Sequence, residues 1–200
     1  MRQLPVIVSH YTIDTPYQKE VEKLRTSLER FQLEHWIEGI PCQGSWRANS
    51  NWCSRQVQQA LQKFPERDIL RVDADAVFCR RPDLFESPDF GADVAAHVHD
   101  FRWHQNELMG GTMFFRNNER VRVLVDEWAE LCCVQCPTHR NGDLLQKLLD
   151  RDIRTIRFQP LPATYCKIFD LMKDVRDPVI EHFQASRRFK RQVNEEGAKR

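Results

Sequence analysis

The sequence predicts an α/β protein built on one mostly parallel central sheet flanked by helices, and three observations predict it. Short apolar runs alternate with amphipathic helical runs through the first half of the chain, the pattern of a doubly wound sheet. The strand-like run Asp68-Ile69-Leu70-Arg71-Val72 leads into Asp73-Ala74-Asp75 and then Ala76-Val77-Phe78. Two carboxylates thus stand at a strand's carboxyl end, the edge of open α/β sheets where ligands bind. Finally, 200 residues, 41% of them hydrophobic and 30% charged, suit one domain with a substantial core. The domain is expected over 1–191, with 192–200 a frayed polar tail.

The elements follow in order. Leu4 to Ser9 is the first strand, with His10-Tyr11-Thr12 at its carboxyl end. Thr15 to Leu33 carries Val21, Leu24, Leu28 and Phe31 at helical intervals, with Thr15 and Pro16 as N-cap and first turn. His35 to Ile40 closes a βαβ unit, Pro41 to Asn51 is a loop, and Ser54 to Phe64 is a second helix facing Val57, Leu61 and Phe64 inward. Beyond the aspartates, Pro82 to Gly91 is irregular and Ala92 to His97 is a strand. Asp100 to Met109 reads as a loop or lid, and Gly110 to Phe115 as a strand entered through a glycine turn. Glu119 to Leu131 and Asp143 to Leu149 are helical, and Arg154 to Phe158 is a last short strand. No internal repeat or low-complexity segment divides the chain.

A net charge of +1 argues against a protein held to nucleic acid by its overall field, although a local basic patch remains open. No stretch is long and apolar enough to span a membrane, and Met1 to Pro5 lacks a signal peptide's apolar region, so a cytoplasmic protein is expected. Seven cysteines, an odd number, fit reduced thiols. Cys133-x-x-Cys136-x-x-His139 has zinc-like spacing, but no second Cys or His pair follows, so core or surface thiols are the better reading.

In extended chain, residues two apart share a side and lie roughly 6 to 7 Å apart, so Asp73 and Asp75 can face one cation. Hard oxygen ligands suit Mg²⁺ or Mn²⁺ held against phosphates. The spacing alone is weak, since Asp150-Arg151-Asp152 repeats it after a helical run, where a solvated turn is expected. The apolar residues on both sides of Asp73 and Asp75 distinguish the first pair, because carboxylates in such a run need a metal or partner charges. A buried structural ion pair is the competing reading.

Six segments in this order resemble the GT-A glycosyltransferases, specifically the bacterial and phage nucleotide-diphospho-sugar transferases related to retaining galactosyl- and glucosyltransferases. They are Ser9 to Thr12 with Tyr17, Gly44 to Asn49, Val72 to Phe78, Gly110 to Phe115, Leu161 to Cys166, and Pro178 to Lys190. The resemblance implies a single Rossmann-like GT-A domain over nearly the whole chain. It also implies that Asp73 and Asp75 form the D-x-D motif, holding Mn²⁺ or Mg²⁺ against the donor's diphosphate, with His182 completing the ligand set. Gln184, Ser186, Arg187, Arg188 and Lys190 would then supply phosphate-seeking donors. His10, Tyr11 and Thr12 would meet the nucleoside, Trp46, Arg47, Asn49 and Ala74 would line the donor pocket, and Gly110 and Gly111 would let backbone approach the sugar. Without the family, Tyr11 and Trp46 read equally as packing aromatics, and the glycines as an ordinary turn.

Two departures stand out. Cys53, with Arg55 nearby, replaces a lysine common in the group. Asn141-Gly142-Asp143 keeps an aspartate, with Gln146 apart from it, which leaves Asp143 as a candidate catalytic, sugar- or acceptor-binding residue. The expected activity is transfer of a sugar from a nucleotide-diphosphate donor, a UDP-sugar, to a hydroxyl acceptor with retention of configuration. The acceptor is open between a saccharide, a lipid-linked sugar, a small metabolite, a protein and a modified DNA base, and the loop around His99 to His104 could stack on a ring. The rivals are a catalytically silent nucleotide-sugar-binding protein and a nucleotidyltransferase. The latter normally wants a glycine-rich phosphate loop, which Val6 to Thr12 lacks.

Overall fold

Alternate burial along the central strands divides the apolar side chains into two layers. Val6, Val8 and Ile69 belong to one core cluster, and Ile7, Leu70 and Val72 to the other, as the period of two requires. The computed structural model describes residues 3–101, 104–134 and 139–189; Lys190, Cys136, Arg102, Trp103 and the 192–200 tail lie outside them. In chain order the elements are β1 (Val6–Thr12), α1 (Tyr17–Arg30), β2 (His35–Ile40), α2 (Trp46–Lys63), β3 (Ile69–Val72), β4 (Ala76–Phe78) and β5 (Val94–Phe101). β6 (His104–Phe115), α3 (Glu119–Val134), α4 (Asn141–Arg151), β7 (Phe158–Pro160), β8 (Lys167–Ile168) and β9 (Ile180–His182) complete them.

The six-stranded sheet has the order β2-β1-β3-β6-β5-β7. β1 pairs in parallel with β2 and β3, and β5 with β7, whereas β6 runs antiparallel to both β3 and β5. The sheet is therefore mostly parallel with one reversed strand. Helices α2, α3 and α4 contribute Val57, Leu61, Leu124, Trp128, Leu145 and Leu148 to one layer. α1 contributes Val21, Leu24 and Leu28 to the other, which it shares with Ala76, Phe78 and Ile180 of a small second sheet. That sheet has the order β4-β9-β8.

Several expectations are corrected. β1 runs on to Thr12. α1 starts at Tyr17 because the Thr15 hydroxyl donates to the Thr12 carbonyl and accepts from the Tyr17 amide. α2 begins at Trp46, eight positions before the expected Ser54. Ser45 caps it by accepting from the Ala48 amide at 3.1 Å, a signal that the missing apolar stripe over Trp46 to Asn51 outweighed. The described residues within Asp100 to Met109 are strand rather than loop or lid, since β5 and β6 pair antiparallel, with Val98 opposite Leu108 and His99 opposite Glu107. Gly110 and Gly111 lie inside β6 rather than in a turn before it. The last strand of the main sheet sits at Phe158–Pro160, because the Thr155 and Ile156 amides still donate back to the Asp152 carbonyl behind α4.

Candidate functional site

Two local irregularities build the site. The first is at the aspartates, which are not arranged by extended alternation as expected. β3 stops at Val72, and the Ala76 amide donates to the Asp73 carbonyl at 3.0 Å, so Asp73, Ala74 and Asp75 form a tight turn between the two sheets. The second is a bulge in β6. Ala96 pairs with Met113 but the next residue, His97, pairs with Met109, so Gly110, Gly111 and Thr112 leave the β5 ladder. Thr112 stays opposite Val72, and the Asp73 amide donates to the Gly111 carbonyl at 2.9 Å. The bulge is thereby fastened to the aspartate turn.

His182 arrives through the second sheet. β9 lies antiparallel to β4 with His182 opposite Ala76, one residue beyond Asp75. The chain then crosses the turn, where the Phe183 amide donates to the Asp75 carbonyl and the Ala185 amide to Asp75 Oδ2 at 2.6 Å. One ligand atom from each of Asp73, Asp75 and His182 lies within 4.8 Å of the others. Thr112 Oγ1 lies 2.8 Å from His182 Nε2, which fixes the ring, and the buried Nδ1 has no partner. Arg71 Nη2 lies 2.7 Å from Asp73 Oδ1. A buried imidazole nitrogen without a partner beside two carboxylates fits a divalent ion, and the Thr112 contact is the outer support that such ligands use.

Burial sets the electrostatics. Asp75 is raised to about 7 by burial and then by the charge of Asp73, against its hydrogen bond from Ala185. His182 is lowered to about 4, chiefly by burial. His10 is also lowered to about 4, by burial and then by Arg71, and its Nε2 donates to the Asn49 carbonyl at 2.8 Å.

His10 provides a stability prediction with a definite sign. Its folded value lies below the ordinary imidazole value of 6.5, so between those limits the unfolded chain binds a proton that the folded chain refuses, and stability falls as pH drops from about 6.5 toward 4. At about pH 5 this residue alone should cost about 2 kcal/mol. Urea unfolding of wild type and His10→Gln at neutral and acidic pH checks it, the variant losing less on acidification.

These groups line one cleft of about 260 Å³. Its walls are the end of β1 (His10, Tyr11, Thr12), the first turns of α2 (Trp46, Arg47, Asn49, Ser50), the turn with Ala74, the bulge with Gly110 and Gly111, and Gln184 with Ser186. Asp143 also lines the cleft, from the first turn of α4. Not every expected residue offers its side chain to the cleft. Asn49 accepts from the Gln43 amide at 2.6 Å and donates to Cys42 Sγ. Arg187 pairs with Asp170, and Arg188 with Glu20 at 3.0 Å. Arg47 lines the cleft, and its buried Nη1 has no hydrogen-bond partner.

Sequence reasoning missed Ser50, Arg71, Glu107 to Met109, Arg140 and Ile168 on the cleft wall, and gave no role to Tyr17, Asn141, Gly142 and Cys166, which it had quoted within motifs. Arg71 was visible as a lone cation inside the apolar run before the aspartates. Cys133 is exposed, and among the described residues Asp73, Asp75 and His182 form the one three-residue cluster that could hold a metal. No helix among the described residues is long and apolar enough to cross a membrane.

This fold, with a carboxylate turn at the end of the third strand, is shared with solved glycosyltransferases. One is a glycosyltransferase involved in the glycosylation of the major capsid of PBCV-1, with TM-score 0.69 and 16% identity over 98% of this chain and 100% of that one. GlyE of Streptococcus pneumoniae TIGR4 matches with TM-score 0.61 and 15% identity over 90% of this chain but 55% of its own length. Mouse xyloside xylosyltransferase 1, in its apo form, matches with TM-score 0.55 and 13% identity over 91% of this chain and 98% of that one. No protein-family model and no curated protein matches the sequence.

Proposed function

We propose that the protein is a metal-dependent glycosyltransferase that moves a sugar from a nucleotide-diphosphate donor, a UDP-sugar, to a hydroxyl acceptor with retention of configuration. The observation that carries this reading is the convergence of Asp73, Asp75 and His182, from two separate stretches of chain, on the floor of one cleft. Asp73, Asp75 and His182 would hold Mn²⁺ or Mg²⁺, the mixed carboxylate and imidazole set favouring Mn²⁺. When bound, the ion supplies positive charge against the departing diphosphate.

The rest is the work of this chain's side chains. Tyr11 and Trp46 would offer ring faces to the nucleoside, and Arg47, on the cleft wall with no hydrogen-bond partner for Nη1, would meet a phosphate oxygen. Arg187, Arg188 and Lys190 were expected in that role, and the first two are already engaged by carboxylates. Retention is supported by the state of the remaining acids. Glu107 and Asp143, the other carboxylates of the cleft wall, are both engaged in ion pairs with Arg140. The departing phosphate is then the group that takes the acceptor's proton.

The test is release of UDP from a panel of UDP-sugars. The expected result is turnover that needs Mn²⁺ or Mg²⁺ and stops with chelator. UDP-sugar binding without turnover for any donor, with or without saccharide acceptors, would instead mark a silent binding protein.

A further inference from the structure

Arg71 has no role in the scheme above, yet it is the cation nearest the aspartate turn. It is 4% exposed and sits in β3 between Leu70 and Val72, both fully buried. A guanidinium in such a place must be compensated. Its Nη2 meets Asp73 Oδ1 at 2.7 Å, its Nη1 donates to the Gly110 carbonyl at 2.5 Å, and its Nε has no partner. One side chain therefore touches Asp73 of the carboxylate pair and the bulge beside His182. Asp73 and Asp75 with no ion between them are like charges crowded together, and the fold sets a fixed positive charge beside them.

We propose that Arg71 is an internal counter-cation of the Asp73, Asp75 and His182 cluster, a positioning residue that holds the metal-free carboxylates in place and thereby lowers their affinity for a divalent ion. The inference rests on the metal reading of that cluster. Two cations that neutralise the same carboxylates repel each other, so removal of one strengthens the hold on the other. A residue that merely packed, or merely aimed Asp73, would leave metal binding unchanged or weaker on removal. Arg71 thus makes the folded chain stable without metal and keeps the metal exchangeable.

The experiment is calorimetric titration of Mn²⁺ into the full chain at about pH 8, with Arg71→Met and Arg71→Lys beside wild type. Arg71→Met should bind Mn²⁺ roughly tenfold tighter or more, while its metal-free Tm falls by about 5 °C. Arg71→Lys, which keeps the charge, should bind like wild type. If Arg71→Met does not fold, Arg71→Gln, which keeps a donor for the Gly110 carbonyl without the charge, carries the same expectation. Equal or weaker binding by the uncharged variants overturns this inference alone, provided that wild type binds Mn²⁺ and Asp75→Ala does not. A wild type that binds no Mn²⁺, or binds it regardless of Asp75, overturns the metal reading and this inference with it.

Discussion

Asp75→Ala should lower metal-dependent turnover by about 10²–10³-fold or more, the scale on which lost electrostatic stabilisation of a leaving group is felt. The carboxylate is 8% exposed and has a second duty, accepting from the Ala185 amide at 2.6 Å. Asp75→Asn separates the two. An amide oxygen can still accept from Ala185, so that variant should fold with the helical turn at 185–189 in place while losing turnover to the same degree. Steady-state UDP release, with near-ultraviolet circular dichroism as the fold control, reads both. Turnover by Asp75→Ala near the wild-type level would remove the cluster from the chemistry.

Gly111→Ala should weaken metal binding by about 10–100-fold with the fold retained, the range known for supports behind metal ligands. A Cβ at position 111 would lie 3.0 Å from His182 Cε1 and 3.2 Å from its Nδ1, tighter than ordinary contact. The imidazole has little room to yield, because Thr112 holds its Nε2 and β9 is paired to β4. The backbone at Gly111 is not left-handed, so the effect is one of space, and Gly111→Val should be worse. Mn²⁺ titration and thermal melting measure it, and unchanged Mn²⁺ affinity in Gly111→Ala would show that His182 is not a ligand.

Much of the architecture could be read before any coordinates. β2 was found at its observed bounds, α1 and the carboxylates after β3 within a few residues, because each carries a strong periodic or apolar signal. Elements facing the cleft were misread for the opposite reason. The first turns of α2 present polar and aromatic side chains to the cleft, so they lack the stripe that marks a buried face. The aspartate pair was singled out on the residues themselves, but its geometry was wrong, since a turn rather than an extended run brings it together. His182 lies in a three-residue strand with no local signature, and family resemblance rather than periodicity pointed to it. Arg71 was legible as a charge in an apolar strand and was passed over, because its partner Gly110 lies 39 positions away.

The pairing of β4 with β9 also has a consequence for biosynthesis. Asp75 and Ala185, joined by a hydrogen bond, are 110 positions apart. A ribosome that has completed the first helix and all the acidic residues of the floor still exposes half a site. On the proposed metal reading, the cluster closes only after His182 has cleared the exit tunnel, so premature termination upstream of that residue should yield a product with most of its core but no grip on an ion.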